Sequence, residues 1–183
     1  IKATSIALKR QPKFNAFFRG DHLQMNPSIN MGIAIAQEAG LIVPGISGCE
    51  SKSLVGIAAA SRDLIERANN GTLRNEEYSG TTFSISNLGM FDVDSFVAII
   101  FPPHAAVLAV GKVKEQAVAR DGQLAVAQMM KATVSVDHRV ADGAREVWRP
   151  GQCAGPVSQA GDAQAHGLHR LRAAVPEGGH QGS

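Results

Sequence analysis

The chain has 183 residues, enough for one domain with a substantial core and too few to argue for two. Its formal net charge of +2 gives no reason to invoke nucleic acid or a membrane surface as a partner, and no apolar run approaches the roughly 18 residues of a membrane span. Cys49 and Cys153 lie far apart and form no CxxC or other metal-ligand spacing, so they read as incidental thiols from a reducing compartment, and no metal site is expected. No signal peptide is present, although a chain that starts at Ile1 reads as a fragment from which targeting signals could have been cut.

Residues 1–10 read as the tail of a helix, with Ile1, Ala3, Ile6, Ala7 and Leu8 biased towards burial and Pro12 ending it. Residues 31–36 and 41–43 read as a hairpin turned at Glu38-Ala39-Gly40. The clearest helix spans 54–70, where Leu54, Ile57, Ala58, Ser61, Leu64, Ile65 and Ala68 form one stripe and Gly71 supplies the stop. Residues 81–86 alternate, with Phe83 and Ile85 pointing one way and Ser84 and Ser86 the other, before Asn87-Leu88-Gly89 breaks the strand. The nearly continuous apolar run 96–101 reads as a buried strand ended by Pro102-Pro103, and 105–110 as another. Residues 112–120 and 123–130 flank Asp121-Gly122, the strongest short hairpin signal in the chain, and 131–137 supplies one more strand. Strands with a few helices in mixed order make an α+β sheet-and-helix layer.

Two runs carry the candidate chemistry. Asp137-His138-Arg139-Val140-Ala141-Asp142-Gly143 places a histidine at a strand end, with a carboxylate four residues later and a glycine after it. A histidine there can act as a general base near neutral pH, and Asp142 can orient the loop that carries it. Upstream stands Thr82-Phe83-Ser84-Ile85-Ser86-Asn87-Leu88-Gly89-Met90-Phe91. These runs, with Ile1-Lys2-Ala3, Pro12-Lys13-Phe14-Asn15-Ala16, Gly40-Leu41-Ile42-Val43-Pro44 and Ile99-Ile100-Phe101-Pro102-Pro103, resemble the catalytic domain of the dihydrolipoamide acyltransferases, the E2 cores of 2-oxo-acid dehydrogenase complexes.

The resemblance runs from Ile1 to about Ala144. It implies a chloramphenicol-acetyltransferase-like (CoA-dependent acyltransferase) fold, a mixed sheet with helices on one side. It also implies acyl transfer between coenzyme A, or acetyl-CoA, and a dihydrolipoyl group on a separate lipoyl domain. In that reading His138 is the general base, Ser86 the donor to the tetrahedral oxyanion with Ser84 as fallback, and Asp142 holds the loop by pairing with a basic residue. Asn87, Asp137 and Arg139 take structural parts, and His104 none in catalysis. Family members form homotrimers in which His138 of one chain would face Ser86 of its neighbour. The trimers build a larger hollow core that works with the E1 and E3 components. The pattern after the Ser-Asn pair is most like the acetyl-transferring branch of pyruvate complexes, with a branched-chain acyl group as the alternative. Location in the bacterial cytoplasm is expected, or alternatively the mitochondrial matrix.

Residues 145–183 depart from this pattern. They hold seven glycines and three prolines but no lysine, isoleucine, phenylalanine or methionine, and show no helical or strand period. The family continues here with an amphipathic helix. The expected organisation is therefore an N-terminally truncated catalytic domain over 1–144 and an atypical tail over 145–183, either disordered or the product of a shifted reading frame. Two alternatives stay open: a catalytically impaired structural remnant of an E2 core, and small-molecule acetylation on the same fold. In relatives of the latter kind a second histidine precedes the catalytic one, where this chain has Asp137.

Overall fold

A computed structural model describes residues 1–38, 40–120 and 122–141, and the backbone of 168–174. Helix α1, Lys2–Arg10, is anchored by Ile1, Ser5 and Leu8, one i, i+4, i+7 line, of which Ser5 and Leu8 are buried. Ala3, Ile6 and Ala7, expected inside, face solvent, because the stripe that meets the core is narrower than their summed hydrophobicity suggests. Pro12 opens a 3₁₀ turn, Pro12–Asn15, that buries Phe14 and Asn15 and leads into a small hairpin of β1, Ala16–Phe18, and β2, Leu23–Met25.

The expected hairpin over 31–43 divides at Ala34. Strand β3, Met31–Ile33, joins the main sheet, whereas β4, Ile35–Gln37, and β5, Gly40–Ile42, pair with each other outside it. Strand β6, Gly45–Ile46, returns to pair with β3. Helix α2, Leu54–Asn69, starts at an N-cap where Ser53 Oγ accepts from the Gly56 N–H at 3.0 Å, and Gly71 follows its end with φ +67°. Its stripe buries Ile57, Leu64 and Ala68, whereas Leu54, Ala58 and Ile65 are exposed. A short helix α3, Asn75–Ser79, is tied to α2 by the Arg67–Glu77 ion pair at 2.6 Å.

Strands β7 (Phe83–Asn87), β8 (Ala106–Val110), β9 (Lys114–Arg120) and β10 (Gln123–Val136) follow. β9 and β10 form the hairpin expected from Asp121-Gly122: Arg120 pairs with Gln123, and Gly122 has φ +79°. β10 runs unbroken through the two strands read as 123–130 and 131–137, pairing first with β9 and then with β8. A last strand, β11, Leu168–Ala174, pairs antiparallel with β10 from Ser135↔Leu168 to Met129↔Ala174. No strand period was expected there. This stretch nevertheless lies in the longest run of the tail without glycine or proline, and β10 offers it an edge of unpaired backbone groups. The sheet order is β11-β10-β8-β7-β3-β6 with β9 on β10, parallel only at β3–β7 and β7–β8.

The fold is α+β, and α1 and α2 cover one face of the sheet. Leu8, Ile57 and Leu64 share a core with Met31, Phe83, Ile85 and Ala106. On the other face β7, β8 and β10 align in two rows, Ser84–Val107–Ser135 and Ser86–Ala109–Thr133. Residues 96–101 do not form the expected strand. They lie over this second face, with Phe96, Ala98 and Ile100 packed against Val107 and Ala109, while Ser135 Oγ donates to Ala98 O at 2.7 Å. The alternate residues point outward, and Ile99 is 92% exposed. An apolar run signals burial on both sides; here the described chain covers only one.

Candidate active site

β10 ends at Val136, where the chain turns sharply. The Asp137 N–H donates to Ala105 O at 2.7 Å, which pins the turn to the start of β8. Asp137 then holds the turn itself: its Oδ1 accepts from the Arg139 N–H at 3.0 Å, and its carbonyl accepts from the N–H groups of Val140 and Ala141 at 2.9 and 3.2 Å. The Arg139 guanidinium binds the same carboxylate through Nε at 3.0 Å and Nη2 at 2.7 Å, and holds it below the usual carboxylate range. Val140 and Ala141 are buried. His138, between these anchors, is exposed and lines an open cleft of about 520 Å³ with Phe18, Ile100, Pro102, Pro103 and His104. The Pro102–Pro103 peptide is cis.

His104 lies behind that cleft, 3% exposed. Its Nε2 is 3.0 Å from both the carbonyl and the hydroxyl oxygen of Thr81, and its Nδ1 is 2.7 Å from Ser84 Oγ. A carbonyl can only accept, so Nε2 carries the proton and the Ser84 hydroxyl donates to Nδ1. Burial pushes the His104 pKa down, against a smaller upward pull from the Thr81 carbonyl. Phe17 stacks on the ring at 6.1 Å and Phe101 meets it edge-on at 5.8 Å. Ser84, the fallback oxyanion donor, is therefore buried with its proton committed to His104. In the sequence this network shows only as polar residues, Thr81 and Ser84, beside the apolar Phe83 and Ile85.

Ser86 is half-buried near the far end of β7. Beyond it Asn87 Oδ1 accepts from the Gly89 N–H at 2.9 Å, and the Leu88 N–H donates to Val110 O at 3.1 Å. Gly111 lets the chain close tightly here, since a Cβ on it would lie 2.1 Å from Asp94 O. Asp94 is gripped by Lys114 at 2.6 Å and by Lys131, and these two ammonium groups lower its pKa to about 2. Lys112 pairs with Asp92.

The register fixes how far apart His138 and Ser86 lie. Ser86 is in line with Ala109 and Thr133. Val136 is three residues beyond Thr133, roughly 10 Å along the strand, and β10 lies two strand spacings, roughly another 10 Å, from β7. His138 follows past that end. The two residues therefore occupy opposite ends of the sheet, far outside hydrogen-bond reach within one chain. Asp142 lies outside the described residues. Among the described residues no group of three or more His, Cys, Asp or Glu side chains could hold a metal ion, and no helix is long and apolar enough to cross a membrane.

The sequence model of the 2-oxoacid dehydrogenases acyltransferase family (catalytic domain) matches residues 1–147. The chain belongs to this family. It is 44% identical over 147 residues to the dihydrolipoyllysine-residue acetyltransferase component of the mitochondrial pyruvate dehydrogenase complex of Schizosaccharomyces pombe, covering 79% of this chain and 30% of that protein. It is 40% identical over 144 residues to the corresponding component of Zymomonas mobilis, covering 79% and 33%. The chain thus spans about a third of the length of these curated relatives. Among solved structures, the probable dihydrolipoamide acetyltransferase of Listeria monocytogenes superposes with a TM-score of 0.75 at 37% identity, covering 78% of this chain and 61% of that one. The dihydrolipoamide acetyltransferase of Azotobacter vinelandii superposes with a TM-score of 0.75 at 33% identity, covering 80% and 62%.

Proposed function

We propose that this chain is the catalytic part of a dihydrolipoamide acetyltransferase, moving an acetyl group between coenzyme A and the dihydrolipoyl arm of a lipoyl domain. The observation that carries the reading is the turn at the end of β10, which buries Val140 and Ala141 and leaves the His138 imidazole exposed in an open cleft. His138 takes the proton from the attacking thiol, which is a poor nucleophile while protonated. The new carbon–sulfur bond converts the thioester carbonyl to a tetrahedral oxyanion, to which Ser86 donates a hydrogen bond. Collapse breaks the original carbon–sulfur bond, and the departing sulfur recovers the proton from His138. Asp142 orients the loop.

The placement of His138 and Ser86 at opposite ends of one chain's sheet supports a site formed between chains, in the trimer that the family resemblance implies. The outward apolar line Val97, Ile99 and Phe101 suits such a contact. The study of the Azotobacter vinelandii enzyme addresses a serine, a histidine and an asparagine in its mechanism, and Ser86, His138 and Asp142 stand at the same separations along this chain. Asp142 is the one change of type. A larger core that works with a lipoyl domain and the E1 and E3 components follows from the same reading. So does a location in the bacterial cytoplasm or the mitochondrial matrix, since the relatives include bacterial and mitochondrial proteins.

The test is acetyl transfer from acetyl-coenzyme A to free dihydrolipoamide. Transfer that falls by about 10²–10⁴ in His138→Ala supports the reading; a folded trimer with no transfer sinks it. A second reading rests on the tail: residues 148–183 lie outside the family match, and a shifted reading frame after Ala144 leaves a remnant that cannot assemble. A gene sequence that restores an amphipathic helix in another frame supports it, and a purely monomeric chain in sedimentation decides for it.

A further inference from the structure

Arg139 sits where a residue flanking a general base can do one of two things, touch the substrate or hold the base. Its guanidinium carbon lies 4.4 Å from the centre of the Phe18 ring, while Nε and Nη2 grip the Asp137 carboxylate. Phe18 belongs to the β1–β2 hairpin, outside the main sheet, and packs against Ala16, Ala105 and Val140. The guanidinium thus holds a carboxylate through two nitrogens and lies over a ring, and it bridges two parts of the fold 121 residues apart in sequence. Asp137, the carboxylate so held, is the residue whose oxygens define the turn around His138. Resting on the reading of His138 as the base, we infer that Arg139 and Phe18 form a positioning clamp that fixes the direction of the His138 imidazole in the cleft.

Three features favour holding over touching. The charge of Arg139 is spent on Asp137 in the same turn, so the pair offers an anionic substrate little net attraction. The two-pronged contact with Asp137 depends on guanidinium geometry, which an ammonium cannot reproduce. Phe18 also lines the cleft, so its movement would reshape the surface against which a thiol must align. Loss of the clamp leaves His138 present but poorly aimed, a defect in the reacting geometry and not in binding.

The experiment uses the full chain and compares Arg139→Ala, Arg139→Lys and Phe18→Leu in steady-state transfer and in amide hydrogen exchange. Arg139→Ala is expected to lower kcat about tenfold with both KM values within about twofold, and Arg139→Lys to recover only part of it. Exchange at the Val140 and Ala141 amides should quicken about tenfold in Arg139→Ala and in Phe18→Leu. A loss confined to the KM for coenzyme A overturns the inference and makes Arg139 a substrate contact. Unchanged exchange at the turn overturns it whatever the activity does. Exchange does not depend on the role of His138: transfer that survives His138→Ala, alongside faster exchange in Arg139→Ala, shows that the base assignment has failed and the clamp has not.

Discussion

Ser84→Ala tests the polar layer behind the cleft. Ser84 Oγ is buried and donates to His104 Nδ1 at 2.7 Å, while Nε2 is engaged by Thr81. Removing the hydroxyl leaves a ring nitrogen sealed from water with no donor, a loss of about 1–3 kcal/mol. At about 2 kcal/mol the melting temperature of a chain this size drops by roughly 4–8 °C. Thr81→Val is the internal control. It removes Thr81 Oγ1 but keeps the carbonyl that accepts from Nε2, so its cost should stay below about 1 kcal/mol. Urea unfolding of both variants, with His104→Phe and the double variant Ser84→Ala/His104→Phe, gives the coupling between Ser84 and His104. A Ser84→Ala midpoint equal to wild type refutes the reasoning. A larger cost for Thr81→Val than for Ser84→Ala also refutes it, because it places the ring proton on Nδ1.

His104 also predicts a pH dependence. Its folded pKa lies below that of an unfolded imidazole, so its contribution is complete above about pH 6.5 and is lost as pH falls towards the folded value. Urea midpoints measured between roughly pH 7.5 and 5.5 should decline on acidification, and His104→Gln should flatten the decline. Asp94 and Glu77, each lowered to about 2 by their cationic partners, act in a separate window below about pH 4.5. Gly111→Ala puts a Cβ 2.1 Å from the Asp94 carbonyl and must push that segment off β8, at a cost of about 1–3 kcal/mol. The amide of Lys112, which donates to Val93 O at 2.8 Å, should lose exchange protection at the same time.

Where one element faces both core and solvent, its residues announced it. Ile57, Leu64 and Ala68 keep helical spacing because α2 has one wet side, and Asp121-Gly122 marks a turn few other dipeptides make. Residues 96–101 misled because Val97, Ile99 and Phe101 are apolar yet exposed among the described residues. That composition describes a surface awaiting a neighbour, and spacing alone cannot separate it from a buried strand. Of the site, His138 and its Asp137–Arg139 frame were legible as a motif, but the contact with Phe18 joins residues that no local pattern links. The distance between His138 and Ser86 likewise emerges only from the order and register of β7, β8 and β10.

The most direct test of a site shared between chains is complementation. His138→Ala and Ser86→Ala chains, each nearly inactive alone, are co-expressed in equal amounts with different tags, and mixed assemblies are purified through both. If each site takes His138 from one chain and Ser86 from the next, a trimer holding both variants rebuilds one of its three sites, so acetyl transfer returns to roughly a third of wild type. Mixed assemblies no more active than either variant alone would contradict the account.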